Sequence, residues 1–359
     1  MLKVGATIGI LGGGQLARML ALAAAPLGLK CHVYSPDADS CAFDVVHAQT
    51  VADFEDEAAL ARFAKSVDVV TYEFENVPAK TAAFLSERVR VLPDPHVLET
   101  TQDRLVEKNF LAGLNIATAP YAPVHSATQL ADGVAKVGLP AVLKTRRFGY
   151  DGKGQAKIER AEDANEAWRS LHGVPCVLEG FIRYQREVSV IAARAEDGTV
   201  ECFELTENEH RDHILYISRV PVKASDTLAV EARRVATQIV NAFGYVGVMG
   251  VEMFVVRSRG QEHVLVNEVA PRVHNSGHWT IDGATVSQFE QHIRAVAGWP
   301  LAKPKRLGKR VEMTNLIGDE VLDQARWLAA PNTALHIYGK GEPSPRRKMG
   351  HVTRVWPAR

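Results

Sequence analysis

The chain has 359 residues, 46% of them apolar and 23% charged, which suits a soluble protein of two or three domains with a sizeable core. Lys plus Arg equals Asp plus Glu at 42 each, so no global field draws the chain to nucleic acid or to a membrane surface, and any phosphate affinity must be local. Cys31, Cys41, Cys176 and Cys202 form no CxxC pair, which argues against a zinc site or disulfide framework and for a reducing cytosol.

The N-terminus superficially resembles a secretory leader, with Lys3 ahead of an apolar stretch. Gly12 to Gly14, Gln15 and Arg18 interrupt that stretch, and Met19 to Leu29 is too short to span a bilayer, so it reads as folded structure. TIGIL (7–11) predicts a strand, QLARMLALAAAPLG a helix stopped by Gly28, and CHVYS a second strand. VDVVTYEF (67–74) and RVRVLP (88–93) predict two more strands around a helical pattern at 56–66. Alternating strands and helices imply a parallel α/β unit ending near Pro95.

TQDRLVEKNFLAGL (101–114) reads as an amphipathic helix, and PAVLKT (140–145) as a strand running into RRFGYDGKGQ. Strands follow at CVLEGFI (176–182) and EVSVIAAR (187–194), and a helix at 227–243. GYVGVMGVEMFVV (244–256) and HVLVNEVAP (263–271) predict a hairpin across RSRGQ. TVSQFEQHIRAVAG (285–298) is a helix stopped by Gly298 and Pro300, and after Pro304 the chain reads as a small β-rich domain.

Five clusters carry chemistry. Gly12-Gly13-Gly14-Gln15-Leu16-Ala17 fits GxGxxA between strand and helix, with Asp37 some 20 residues on; a dinucleotide site and a bare strand-to-helix turn both satisfy it. Gly149 to Gln155 lacks the GK[ST] of a Walker A loop, yet such glycine density lets backbone close over phosphates, with Lys144 to neutralise them. An ordinary hairpin turn has the same look. Glu252 and Glu268 interrupt the apolar hairpin; buried carboxylates need a partner, and two on adjacent strands can share Mg²⁺, although a wet sheet edge would also tolerate them. Arg272, His274, Asn275 and His278 crowd the turn after the second strand, as an oxyanion site or a polar loop, with His278 and Trp279 suited to packing. Lys340, Arg346, Arg347 and Lys348 near the end are either a phosphate site or a solvated charge run.

In order, these phrases are GGGQLARM, YEFENV, LKT...GYDGKGQ, EGFI, GVMGVEMF, VNEVAPRVHNSGHWT and RRKMGH. Together they resemble the ATP-grasp family over essentially the whole chain, and within it the 5-(carboxyamino)imidazole ribonucleotide synthases. The resemblance implies three domains, with boundaries expected at 1–100 (Rossmann-like), 101–300 (ATP-grasp, two α+β subdomains) and 301–359 (β-rich). It implies that Arg104 and Lys144 meet ATP phosphates under a mobile loop of Gly149, Tyr150, Asp151, Gly152, Lys153, Gly154 and Gln155. Glu179, Gly180, Phe181 and Ile182 are expected to line the adenine slot, Glu187 to bind ribose, and His210 to lie beside the nucleotide. Glu252 and Glu268 become Mg²⁺ ligands with Asn267 adjacent.

The same resemblance places Gln15, Leu16, Glu73, Tyr150, Asp151, Lys340, Arg347 and Lys348 around the ribonucleotide. Arg272, His274 and Asn275 then face bicarbonate and the substrate phosphate, and Tyr150, Asp151, Arg272 and His274 are the expected catalytic set, with Asp151 as base. The tail departs from the family pattern, because Arg346 stands where a glycine is expected before the Arg-Lys pair. The implied reaction is ATP- and bicarbonate-dependent carboxylation of the amine of aminoimidazole ribonucleotide through carboxyphosphate, which meets the amine either directly or after releasing CO₂ in the closed site, in purine biosynthesis. A cytoplasmic homodimer with small-molecule partners, and neither nucleic acid nor membrane, is expected. The alternatives are a formate-dependent glycinamide ribonucleotide transformylase, an NAD-dependent dehydrogenase and a non-catalytic nucleotide sensor.

Overall fold

A computed structural model describes residues 1–149 and 152–358 of the chain. The N-terminal unit is a parallel sheet of β1 (Thr7–Leu11), β2 (Lys30–Ser35), β3 (Ala48–Val51) and β4 (Val69–Tyr72), in the order β3-β2-β1-β4. Central β1 is buried almost throughout, as a strand covered on both faces must be. The helix Gln15–Ala24 follows it and buries Leu16, Met19, Leu20 and Ala24 at helical spacing. Strand β3 escapes sequence reading because AQTV is polar and half exposed at the sheet edge. Conversely, RVRVLP supplies only a bridge from Val91 to Val70, since Pro93 has no N–H to extend the ladder.

The next unit is an antiparallel sheet, in the order β5-β8-β6-β7, of β5 (Tyr121–Val124), β6 (Ala141–Thr145), β7 (Gln155–Ile158) and β8 (Cys176–Gly180). The third sheet is the largest. It takes β9 (Arg186–Arg194), β10 (Val200–Cys202), β11 (Thr206–Arg211), β12 (Ile214–Val220), β13 (Gly247–Ser258), β14 (Gln261–Ala270), β15 (Arg310–Ile317), β16 (Thr333–Ile337) and β17 (Lys348–Trp356). Its order is β14-β13-β9-β11-β12-β15-β17-β16, with β10 on β9. The C-terminal strands therefore extend the central sheet through the β12–β15 pairing and form no separate sheet. Between β13 and β14 the turn of the expected hairpin is just Arg259 and Gly260.

Two helices place these sheets. Asp226–Ala242, capped by the Ser225 side chain, buries Leu228, Ala232, Val235, Ala236 and Ile239 against β9 and β13. Gln288–Val296 packs on Gln15–Ala24 and on β13, so one core joins the N-terminal unit to the central sheet. All four cysteines are unpaired. No helix among the described residues is long and apolar enough to cross a membrane.

Candidate active site

The helix Arg104–Gly113 starts where Asp103 accepts from the N–H groups of Leu105 and Val106, a cap worth about 1 kcal/mol. Asp103 also binds Arg146 through both carboxylate oxygens, and the Arg104 N–H donates to the Arg146 carbonyl. The helix start is thus tied to the exit of β6, which brings Arg104, Lys108 one turn on, and Lys144 to one place. Lys144 Nζ lies 3.1 Å and Lys108 Nζ 3.3 Å from Glu179 Oε2. Burial pushes the Glu179 carboxyl up, but Lys144, Lys108 and Arg104 hold it below its usual range. Burial likewise lowers Lys144. Arg104 reaches Glu268 at 2.9 Å and the Gly149 carbonyl at 3.4 Å, touching the glycine loop.

Around the expected adenine slot, the Gly180 and Phe181 N–H groups already donate to the Pro120 and Pro140 carbonyls. The exposed Phe181 ring carries Lys157 Nζ at 4.4 Å, and Ile182 is half-buried. Glu187 accepts from the Tyr184 hydroxyl and faces His210 Nδ1 at 2.7 Å. Past Lys153, the Gly154 carbonyl accepts the Thr145 N–H and Gln155 pairs with Lys144, closing the loop onto β6. Tyr150 and Asp151 lie outside the described residues.

Glu252 and Glu268 are register partners on β13 and β14. A bulge puts Asn267 opposite nothing, since the next pair is Met253 with Val266. Without that extra residue, Glu268 would not stand level with Glu252 and face the same side. His274 Nε2 lies 2.9 Å from Glu252. Burial works to raise the Glu252 carboxyl, but His274, His210 and Lys348 outweigh it and hold it at about 2.

On the far side, Glu73 is buried at the end of β4 and accepts the Gly14 N–H at 2.9 Å. Arg272 clasps Glu75 through Nε and Nη2, and its Nη1 donates to the Val273 carbonyl. Lys340 Nζ donates to the Lys348 carbonyl at 2.8 Å. Burial, more than its cationic neighbours, lowers Lys340 to about 8. His274 Nδ1 contacts Ser276, and Asn275 exchanges amide bonds with Asn315. Gln15 opens the first helix, while the Leu16 side chain sits in the core, which leaves any ligand contact to its main chain. Arg346 has φ 65°, the backbone state that explains the expected glycine, and its guanidinium reaches the Asp212 carbonyl. Arg347 instead donates to the Lys340 carbonyl.

The dinucleotide reading of Gly12–Gly14 conflicts with this geometry. A Cβ at Gly12 or Gly14 would lie 2.7 or 2.9 Å from Glu73 Oε1, so a carboxylate fills the place of a pyrophosphate at the helix N-terminus. NADH is therefore expected neither to bind at micromolar concentration nor to be oxidised. A fluorescence titration checks this, and saturable binding displaced by a ribonucleotide would overturn it.

Family models match the chain in three segments: a ribonucleotide synthetase preATP-grasp domain at residues 5–102, an ATP-grasp domain at 109–289, and a phosphoribosylaminoimidazole carboxylase C-terminal domain at 312–358. The N5-carboxyaminoimidazole ribonucleotide synthase of Brucella melitensis is 48% identical over 99% of this chain and 98% of its own length. The chain belongs to the ATP-grasp family, among the N5-carboxyaminoimidazole ribonucleotide synthases. A bifunctional purine synthesis protein purC/E of Dictyostelium discoideum is 44% identical over 98% of this chain, which spans 37% of that longer protein. The Aspergillus clavatus N5-carboxyaminoimidazole synthase, solved with ADP and 5-aminoimidazole ribonucleotide, superposes with TM-score 0.90 at 29% identity, covering 99% of this chain and 95% of that one.

A synthase of this family implies a divalent cation, and the donor set suits one. Glu252 and Glu268 are oxygen donors on one face, and the buried Asn267 Oδ1 has no hydrogen-bond partner. No group of three or more His, Cys, Asp or Glu among the described residues is placed to hold a metal. Two carboxylates with substrate phosphates and water are what Mg²⁺ ordinarily takes. Sequence reading passed over three charged residues here. Glu75 repeats Glu73 at a spacing of two, and Lys108 and Glu107 follow Arg104 at helical spacing, so each had a periodic signal. Glu107 is 4% exposed, accepts the Val269 N–H, and is pushed up to about 8 by burial and then by Glu268.

Proposed function

We propose that this chain carboxylates the exocyclic amine of 5-aminoimidazole ribonucleotide, using ATP and bicarbonate, in purine biosynthesis. One observation carries the reading: in a chain of the synthase family, the paired Glu252 and Glu268 each have cations of their own nearby. Arg104 pairs with Glu268, and Lys144 and Lys108 meet at Glu179, whereas Lys348 and Arg272 act on Glu252, with Lys340 held to the Lys348 carbonyl. Such a layout suits two phosphorylated substrates meeting at a shared centre. Like its relatives, it works as an ATP-dependent ligase that forms ADP.

In this reading a bicarbonate oxygen attacks the γ-phosphorus, the bond to the bridging oxygen breaks, and ADP leaves with carboxyphosphate formed. Arg104, Lys144 and the glycine loop hold the phosphates and offset their charge. Mg²⁺ held by Glu252 and Glu268 would supply further neutralisation of phosphate oxygens. Glu179 to Ile182 seat the adenine, Glu187 the ribose, and His210 and Asn267 flank the nucleotide. The amine then attacks the carboxyl carbon, phosphate leaves, and Asp151 takes the amine proton. Arg272, His274, Asn275 and Tyr150 orient bicarbonate and the acyl phosphate. Gln15, Leu16, Glu73, Lys340, Arg347 and Lys348 hold the ribonucleotide. We assign the cytoplasm, a homodimer, and functional boundaries near residues 100 and 300 to the same proposal; light scattering measures the dimer.

The test is ADP release with each substrate omitted in turn. Release that requires both bicarbonate and aminoimidazole ribonucleotide is expected, whereas release that requires formate would point to a transformylase.

Lys340 gives a pH prediction. Below about 8 its ammonium is charged and attracts a phosphate; as pH rises through that value the charge is lost. The KM for the ribonucleotide is therefore expected to climb between pH 7 and 9 while that for ATP stays level. Lys340→Arg should flatten the profile. A climb of equal size in the Arg variant would remove Lys340 from this role.

A further inference from the structure

The tip of the β11–β12 hairpin is a two-residue turn. Arg211 pairs with Ile214, leaving Asp212 and His213 outside the ladder with φ 50° and 65°. Tight hairpin turns with both central φ positive favour Asn or Asp followed by Gly, because the left-handed region crowds a Cβ. Asp212 meets that preference, but His213 stands where glycine is the easy choice. An observed departure of this kind is a reason to ask what the side chain touches.

It touches the glycine loop. A Cβ placed on Gly152 would lie 2.8 Å from His213 Cβ, 2.9 Å from Cγ and 3.1 Å from Cδ2. Gly152 itself has φ 82°. The bare Cα of the loop therefore rests against the imidazole, in a contact that only glycine at 152 permits. The turn does not float: Arg346 Nη2 donates to the Asp212 carbonyl at 3.2 Å, and Arg211 pairs with Glu320. It is thus braced by the C-terminal segment that carries Lys348, while its ring meets the loop that Arg104 reaches through Gly149.

We propose that His213 is a positioning residue that seats the 152–155 end of the glycine loop, so that carboxyphosphate is retained until the amine attacks. This rests on the functional reading above. If the loop is poorly seated, water attacks the acyl phosphate, bicarbonate and phosphate are regenerated, and the net change is ATP plus water to ADP plus phosphate. His213 needs no contact with substrate for this role.

His213→Gly separates the role from that of a plain turn residue, because the two readings move stability and coupling differently. Glycine relieves the left-handed backbone, so the melting temperature should equal or exceed wild type by about 1–3 °C. The ratio of ADP formed to carboxylated ribonucleotide, near one in wild type, should rise about twofold or more, and the KM for ATP several-fold. His213→Asn, which also tolerates the turn but has no ring, should leak alike. A coupled wild type with equally coupled Gly and Asn variants overturns this inference alone. A wild type that makes no carboxylated product overturns the functional reading and this inference with it.

Discussion

Glu268→Gln is expected to lower kcat by on the order of 10²–10³-fold while leaving the fold intact, the loss that follows from removing about 3–4 kcal/mol of charge stabilisation in a phosphoryl-transfer step. The bulge at Asn267 sets Glu268 level with Glu252, so the substitution removes one of two carboxylates that face the same point. It also breaks the charge match with Arg104, 2.9 Å away, although an amide oxygen can still accept that bond. The Glu268 side chain is 38% exposed, so water screens the remaining charge and stability should hardly change. Kinetics across a Mg²⁺ titration, with a melting curve beside it, provide the check. Near-normal turnover with unchanged Mg²⁺ dependence would end the metal assignment.

Lys348→Ala should raise the KM for the ribonucleotide about ten- to a hundredfold and leave that for ATP within about twofold. Lys348 opens β17, and its carbonyl anchors the Lys340 ammonium. Its own charge acts on Glu252 and His210 as well as on Lys340, which puts this part of the tail within reach of the carboxylate pair. On the proposed ATP side Arg104, Lys108 and Lys144 already supply cations. Among these described residues, that leaves Arg272 and the tail for the proposed ribonucleotide phosphate, and Arg272 is engaged by Glu75. A charge-assisted hydrogen bond is worth about 1.5–3 kcal/mol, which sets the factor. An exposed charge run would give roughly 0–1 kcal/mol, so small, equal changes in both KM values would return Lys348 to solvent.

Much of this arrangement was legible because it is periodic. The hairpin carrying Glu252 and Glu268 announces itself as apolar strands broken by carboxylates, and the helix from Arg104 as part of an amphipathic run over 101–114, although its start at the Asp103 cap emerged only in the structure. What stayed hidden depends on distance in sequence. The bulge that aligns the two carboxylates is a property of pairing, since nothing in VNEV marks Asn267 as extra. The bond from Glu73 to Gly14 spans 59 residues, and the clasp of Arg272 on Glu75 spans 197. The fusion of the C-terminal strands to β12 likewise needs the fold, because β15 to β17 carry the same alternation whether or not they share a sheet. Arg346 is the reverse case: the odd residue in the tail was visible, and its left-handed backbone gives the physical reason.

The most direct test of the central claim follows oxygen. With bicarbonate labelled by ¹⁸O, turnover with ATP and aminoimidazole ribonucleotide should place one labelled oxygen in the released phosphate for each ribonucleotide carboxylated. That oxygen attacks phosphorus and leaves with it when the amine takes the carboxyl carbon. Phosphate that carries no label above the water background, formed alongside carboxylated product, would contradict passage through carboxyphosphate.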